Sequence, residues 1–166
     1  MPMVYNAGEV LEIAQQIERN GARFYRQAAA GASAERAREA LQALAVMEDR
    51  HEKAFAQMAA ALSPQERQEV LYDPYDESVQ YLRAVAGGRV FDLRSDPVAW
   101  LEGGRTMSEI LHKAIQMEKD SIIYYLGLKA VVPDALGKGK VDDIILEEMR
   151  HVTLLETMMG FPEAAG

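Results

Sequence analysis

The feature that most constrains the fold of this chain is an internal repeat, in which two parts of the sequence match at an offset of 100 residues. Residues 11–28 align without a gap with residues 111–128, and residues 44–58 align in the same way with residues 144–158. Within each segment, apolar and small residues recur at steps of three and four, which is the spacing of one face of an α-helix. The sequence therefore predicts two equivalent pairs of amphipathic helices.

Local signals at the ends of these segments divide the chain into four long helices. Asn6 with Glu9, and Thr106 with Glu109, have the spacing of a capping box and predict the starts of the first and third helices. Ser33 is the predicted N-cap of the second helix. Helix stops are predicted at Gly31, at the pair Ser63-Pro64 and at Pro133. The four helices are expected over about residues 7–30, 34–62, 106–132 and 138–159.

Residues 63–104 differ in character from the segments on either side and have no counterpart in the repeat. They contain three prolines and two Gly-Gly pairs, and too few apolar residues to form a core of their own. Short helices are predicted over residues 64–71, 77–86 and 97–102. We interpret this part as a long crossover between two helical hairpins. The expected fold is therefore an all-α four-helix bundle in one domain spanning residues 1–166.

Composition and charge exclude several classes of protein. The chain has 166 residues, 49% of them hydrophobic, which is enough for one domain with a sizeable core. Its formal net charge of −8 argues against binding to nucleic acid or to an anionic membrane surface. The absence of cysteine excludes disulfides, thiolate zinc sites, iron–sulfur clusters and a rubredoxin-type iron site within this sequence.

The sequence also lacks the common signals for export or membrane insertion. Residues 1–10 have neither a basic start nor an apolar run, so a signal peptide is not expected. No stretch of about 18 apolar residues is present, so a membrane-spanning helix is not expected either. We therefore predict a cytoplasmic protein that does not associate with a membrane.

Each long helix carries an acidic or imidazole side chain on its otherwise apolar stripe. Burying an ionised carboxylate without a partner is costly, and four carboxylates without a Lys or Arg on the same stripes would repel one another. Two divalent metal ions carry four positive charges and would balance the four carboxylates. The candidate metal ligands are Glu18, Glu48, His51, Glu118, Glu148 and His151.

The spacing of these residues favours a metal site over surface pairs. Glu48 with His51, and Glu148 with His151, form Glu-x-x-His motifs, which place a carboxylate and an imidazole on neighbouring turns of one helix face. A lone glutamate on each of two helices, with a Glu-x-x-His motif on each of the other two, is the ligand set of di-iron and di-manganese carboxylate bundles. The alternative is that these residues are surface Glu/His pairs on acidic helices. However, chance would place a Glu three residues before two of the three histidines, and another Glu a further 30 residues before each, in roughly one sequence in several thousand. Oxygen and imidazole ligands suit iron or manganese, and zinc is a substitute.

These motifs resemble those of the ferritin-like di-iron carboxylate superfamily, and most closely its rubrerythrin branch. The resemblance covers both hairpins, about two thirds of the chain. It implies two iron ions per chain, bridged by Glu48 and Glu148, with the other four candidate ligands binding one ion each. Tyr25 and Tyr125 lie seven residues after the lone glutamates. The resemblance implies that they hydrogen-bond to the carboxylates, and they are the candidate catalytic residues.

Two departures from the rubrerythrin pattern bear on the reaction. Rubrerythrins carry a further carboxylate one turn after the lone glutamate of the third helix, where this chain has Ser121. This difference weakens the case for the ligand switch by which they reduce peroxide. The cysteine-ligated rubredoxin domain that usually accompanies them is also absent from this sequence. Electrons would therefore come from an external donor or from ferrous iron as the substrate.

Three functions are consistent with these residues. The first is a non-haem di-iron oxidoreductase that acts on peroxide or dioxygen. The second is a ferroxidase or iron-storage protein, which handles iron without a separate organic substrate. The third belongs to another class, a helical interaction module whose metal, such as zinc, is purely structural. We expect a homodimer or a higher homo-oligomer, with ferrous iron and peroxide or dioxygen as its small partners.

Some residues near the candidate ligands are open to two interpretations. Glu147 and Glu52 each adjoin a ligand, and either could orient an imidazole or face solvent. Arg50 and Arg150 also adjoin ligands, but solvated surface residues would have the same spacing. His112 has no partner at ligand spacing, so we interpret it as structural.

Overall fold

The computed structural model describes residues 6–68, 77–84, 96–132 and 134–160, and within these ranges it contains helices and no β-strand. None of the helices in these ranges combines the length and the apolar character that crossing a membrane requires. The four long helices are α1 (Ala7–Gly31), α2 (Glu35–Ala61), α6 (Met107–Val131) and α7 (Lys138–Met159). The shorter helices are α3 (Pro64–Gln68), α4 (Glu77–Ala84) and α5 (Pro97–Leu101), and a 3-10 turn (Asp134–Leu136) precedes α7.

The all-α prediction is confirmed for the described residues, and the predicted bounds of the long helices agree with the structure within one residue. Helix α1 packs against α2, and α6 packs against α7, so the two predicted hairpins are present. The short helices begin at the predicted residues. The predicted stop at Pro133 and the predicted helical residues 69–71 and 85–86 lie outside the described residues.

Both predicted capping boxes are present at the starts of α1 and α6. The Asn6 side chain accepts a hydrogen bond from the Glu9 amide at 2.9 Å, and the Glu9 carboxylate accepts one from the Asn6 amide at 3.0 Å. Thr106 and Glu109 make the same reciprocal pair at the start of α6. The predicted N-cap of α2 is wrong, because the cap residue is Ala34, which makes no side-chain capping bond. Position 33 is therefore one residue too early to be the cap.

The crossover helices lie on the outside of the bundle. Helix α4 packs on α6, where the Tyr81 hydroxyl donates a hydrogen bond to the Ile123 carbonyl at 2.6 Å and Leu82 is buried. The contact is close because α6 has Gly127 at this point, and a Cβ atom there would lie 2.7 Å from the Tyr81 ring. Helix α5 packs against α1, with Trp100 among the residues next to the core.

Two apolar clusters form the core, and each long helix contributes one stretch to each cluster. Buried members of the first cluster include Ile17, Phe55, Tyr124 and Ile145. Buried members of the second include Phe24, Leu44, Ile115 and Leu155. On every long helix the candidate ligands fall between these two stretches. The bundle therefore encloses one layer of polar side chains between two apolar layers, which keep bulk water away from it.

Candidate metal centre

The structure brings all six candidate ligands together inside the bundle, and none is more than 5% exposed. They form two groups in which one ligand atom from each residue lies within 4.8 Å of the others. The first group is Glu18, Glu48, His51 and Glu148, and the second is Glu48, Glu118, Glu148 and His151. Glu48 and Glu148 belong to both groups, which is the arrangement that two ions bridged by two carboxylates need.

The hydrogen bonding of this layer is incomplete in a way that fits metal ions. Within the described residues, the buried side-chain oxygen and nitrogen atoms without a hydrogen-bond partner all belong to candidate ligands. They are Glu18 Oε2, Glu48 Oε1, His51 Nδ1, Glu148 Oε1 and His151 Nε2. His51 Nδ1 approaches Glu148 Oε1 to 2.7 Å, but the two are not aligned as a hydrogen bond. Because unpartnered buried polar atoms are costly, a cation among these atoms would remove a substantial penalty.

Burial and mutual repulsion favour the protonated forms of two carboxylates of the layer, Glu148 and Glu48. Burial, together with the charges of Glu118 and Glu18, raises the pKa of Glu148 to about 8. Burial and the charge of Glu148 likewise raise the pKa of Glu48 well above its ordinary value. Burial would also raise the pKa of Glu118, but hydrogen bonds from Glu148 and His151 outweigh it and lower that pKa. No Lys or Arg is buried among the described residues to offset these charges.

The two histidines act as the cations of the metal-free layer. Burial alone would lower their pKa values, but the neighbouring carboxylates outweigh it. Glu148 and Glu18 raise the pKa of His51 to about 11. Glu118 and Glu148 raise the pKa of His151 to about 9. Metal binding must therefore displace protons from imidazoles as well as from carboxylic acids.

The hydrogen bonds expected between the two tyrosines and the carboxylates are present, and they cross between the hairpins. The Tyr25 hydroxyl of the first hairpin donates to Glu118, and the Tyr125 hydroxyl of the second donates to Glu18. Burial and the nearby carboxylates raise the pKa of both tyrosines well above the ordinary value, so their hydroxyls stay protonated. Each tyrosine thus holds the lone glutamate of the opposite hairpin and ties the two halves of the layer together.

The structure distinguishes between the two interpretations of Glu147 and Glu52, and it shows the position of His112. Glu147 accepts a hydrogen bond from His51 Nε2 at 2.7 Å, so it does contact an imidazole. Glu52 instead pairs with Arg19 at 3.0 Å. His112 is on the surface, where its Nδ1 donates to the Ser108 carbonyl of the preceding turn.

The remaining open positions do not contribute ligand atoms. Arg50 and Arg150 are exposed. The Ser121 hydroxyl donates to the Met117 carbonyl at 2.9 Å, and Ser121 belongs to neither group of metal-binding residues. The position at which rubrerythrins place a further carboxylate is therefore occupied by a side chain bound to its own helix.

Gly21 shapes the layer, although sequence reasoning did not identify it as a site residue. A Cβ atom at this position would lie 2.6 Å from Glu48 Oε2, so the Glu48 carboxylate occupies space that any larger residue would fill. The repeat aligns Gly21 with Ser121. This difference between two otherwise similar helix faces is the sequence signal that could have identified Gly21 as a residue of the site.

Replacing Gly21 by Ala is expected to weaken metal binding by about 10–100-fold without destabilising the metal-free protein. The added methyl group must displace the Glu48 carboxylate, whereas alanine is favoured over glycine inside a helix by about 1 kcal/mol. Calorimetric titration with Co²⁺ and thermal melting of the metal-free variant measure the two effects. Ser121→Ala is the matched control, and equal Co²⁺ affinities for the two variants would contradict the prediction.

The chain is similar to known proteins in both sequence and structure. The family model for Rubrerythrin matches residues 9–86, which include the first hairpin. A crystal structure from Thermotoga maritima, described as a candidate ferritin-like diiron-carboxylate protein, superposes with a TM-score of 0.69. The two chains are 25% identical, and the match covers 95% of this chain and 97% of the other. No curated protein sequence matches.

The fold, the ligand layer and these matches define a class of protein. The chain belongs to the ferritin-like di-iron carboxylate superfamily. Within that class, the first hairpin and the start of the crossover are similar to Rubrerythrin.

Proposed function

We propose that this protein binds two iron ions per chain and acts as a non-haem di-iron oxidoreductase on peroxide or dioxygen. The observation that carries the proposal is the pair of four-residue groups that share two carboxylates and contain unpartnered buried atoms. Oxygen and imidazole donors in this ratio suit iron, with manganese or zinc as substitutes. Membership of the superfamily supports the same metal.

The proposed ligand roles follow the membership of the two groups. Glu48 and Glu148, which belong to both, would bridge the ions. Glu18 and His51 would complete the ligands of one ion. The equivalent pair from the second hairpin, Glu118 and His151, would complete the ligands of the other. Four protein residues per ion leave room for a ligand from outside, as a reactive metal site requires.

Held by these six residues, a pair of ferrous ions would supply the two electrons that, with two protons, reduce one hydrogen peroxide molecule to two water molecules. The chain's own residues hold the geometry for this reaction. Tyr25 and Tyr125 keep their hydroxyl protons and orient Glu118 and Glu18. The apolar clusters above and below the layer restrict water. We propose that an external donor or ferrous iron itself returns the electrons.

Anaerobic titration with ferrous iron, followed by peroxide or dioxygen, tests the proposal. We expect two ions to bind per chain, and the absorption of ferric iron to appear when the oxidant is added. Addition of a reductant should then restore the ferrous state and allow further peroxide to be consumed. Two bound ions with no spectral change upon oxidation would contradict the oxidoreductase proposal, and zinc binding without redox activity would favour a structural metal.

Ferroxidase or iron-storage activity is the second candidate, and Ser121 is the observation that favours it. Its hydroxyl is bound to its own helix, so the site lacks the further carboxylate of peroxide-reducing rubrerythrins. A ferroxidase would release ferric iron from the site and accumulate more than two ions per chain. Size-exclusion chromatography separates the two functions, because storage needs a large shell: a large assembly would favour storage, whereas a dimer would count against it.

A further inference from the structure

The two halves of the metal centre, although related by the repeat, support their histidines differently. His51 Nε2 donates a hydrogen bond to Glu147 Oε2 at 2.7 Å, across from α2 to α7. Its other ring nitrogen, Nδ1, faces the carboxylates, 2.7 Å from Glu148 Oε1 and 3.5 Å from Glu18 Oε2. The ring therefore connects a carboxylate outside the metal layer to the place where an ion would bind.

His151 has the same ring position but lacks this support. Its Nδ1 also faces the layer, 3.0 Å from Glu148 Oε2 and 3.4 Å from Glu118 Oε1. The two histidine rings are stacked, with centroids 5.6 Å apart and planes inclined by 20°. However, His151 Nε2 is buried and has no hydrogen-bond partner. The two imidazoles thus present the same nitrogen to the layer, and only one of them is anchored on the other side.

The sequence explains this difference at a single aligned pair of positions. The offset of 100 residues that aligns His51 with His151 also aligns Met47 with Glu147. One half of the repeat therefore has a carboxylate at the position where the other half has a thioether. The Met47 sulfur accepts a hydrogen bond from Arg50, and a thioether is at most a weak acceptor for an imidazole N–H.

A carboxylate that accepts a hydrogen bond from a metal-bound imidazole fixes its tautomer, holds the ring in place and makes the ligand nitrogen a better donor. Removal of such a partner typically costs about 10–100-fold in metal affinity. We propose that Glu147 is a positioning residue that makes the His51 half the tighter metal position, so that the chain loads its two ions in a defined order. This inference rests on the proposed dinuclear centre and adds an order of binding that the proposed function does not require.

Anaerobic titration of the metal-free full chain with Co²⁺ tests the order of loading. The wild-type chain is expected to bind two ions in steps whose dissociation constants differ by about 10–100-fold. His51→Ala should remove the tight step, whereas His151→Ala should remove the weak step. The reverse assignment of the steps would overturn the inference.

Two variants and one control test the role of Glu147 itself. Glu147→Ala should weaken the tight step by about 10–100-fold and bring the two steps together. Met47→Glu, which copies the carboxylate into the other half, should tighten the weak step, an effect that a merely structural role of Glu147 would not produce. Glu52→Gln is the matched control, because Glu52 adjoins His51 in sequence but pairs with Arg19, and both steps should stay unchanged.

The outcomes separate this inference from the proposed function. Two ions that bind with one shared affinity, unaltered by Glu147→Ala, would overturn the order of loading and leave the dinuclear centre intact. A wild-type chain that binds no Co²⁺ would contradict the proposed centre and, with it, this inference. Thermal melting of each metal-free variant confirms that a lost step does not reflect a lost fold.

Discussion

Glu148→Gln is expected to abolish binding of the ion pair while leaving the metal-free protein as stable as the wild type near pH 7. Glu148 belongs to both ligand groups, so its replacement removes a donor from both ions at once. Burial and the neighbouring carboxylates raise its pKa to about 8, so at pH 7 glutamine replaces a mostly protonated acid of the same shape. Titration with ferrous iron and thermal melting of the metal-free variant measure the two effects.

Two controls make this prediction specific to the bridging position. Glu18→Gln removes a donor from one group only, so one ion should still bind. Glu156→Gln alters an exposed carboxylate on the same helix and should leave two ions bound. If Glu148→Gln still binds two ions per chain, Glu148 does not bridge them. If the metal-free variant melts well below the wild type, Glu148 stabilises the fold in a way that its raised pKa does not indicate.

Metal ions are expected to raise the melting temperature strongly, and by more at pH 8.5 than at pH 6. At a free ion concentration about 1,000 times the dissociation constant, each site adds about 4 kcal/mol to the free energy of unfolding. For a domain of this size, each kcal/mol corresponds to about 2–4 °C. Two ions should therefore raise Tm by roughly 15–30 °C.

The direction of the pH effect follows from the raised pKa values of the metal-free layer. The pKa of His51 rises from 6.5 to about 11, that of His151 from 6.5 to about 9, and that of Glu148 from 4.5 to about 8. The folded state thus binds more protons than the unfolded state across this range, so the stability of the metal-free protein falls as pH rises through it. Metal ions need deprotonated ligands, so their binding strengthens over the same range.

Melting curves with and without a redox-inert ion such as Zn²⁺, recorded at pH 6 and pH 8.5, measure the difference. If the increase in melting temperature caused by Zn²⁺ is the same at both pH values, or is smaller at pH 8.5, the prediction is contradicted. Glu148→Gln is the control, since it should show little stabilisation by Zn²⁺ at either pH. The protons released on binding near pH 7 provide an independent check, because His51, His151 and Glu148 must all lose theirs.

Much of the fold could be predicted because its signals are local. The capping boxes of Asn6 with Glu9 and Thr106 with Glu109 define helix starts through contacts three residues apart. The start of α2 was harder to predict, because its cap, Ala34, makes no side-chain bond and nothing in its identity distinguishes it. The single domain, the homo-oligomer and the cytoplasmic location remain predictions.

The six candidate ligands could also be predicted, because periodicity decides which side chains share a helix face. The sequence could not predict that each tyrosine hydrogen-bonds to the glutamate of the other hairpin. Tyr25 and Glu18 lie on the same helix, yet Tyr25 contacts Glu118, because its hydroxyl extends across the bundle and not along its own helix. The contact between Glu147 and His51 was left open for the same reason, since it depends on how α2 and α7 face each other.

The sequence by itself determined four amphipathic helices in two equivalent hairpins and the six candidate metal ligands, because helical period and residue chemistry are properties of the chain. Only the tertiary structure decided which atoms meet. The rotation and separation of packed helices place Gly21 beneath Glu48 and leave His151 Nε2 without a partner. Those contacts span different helices, so they depend on packing that no spacing along the chain encodes.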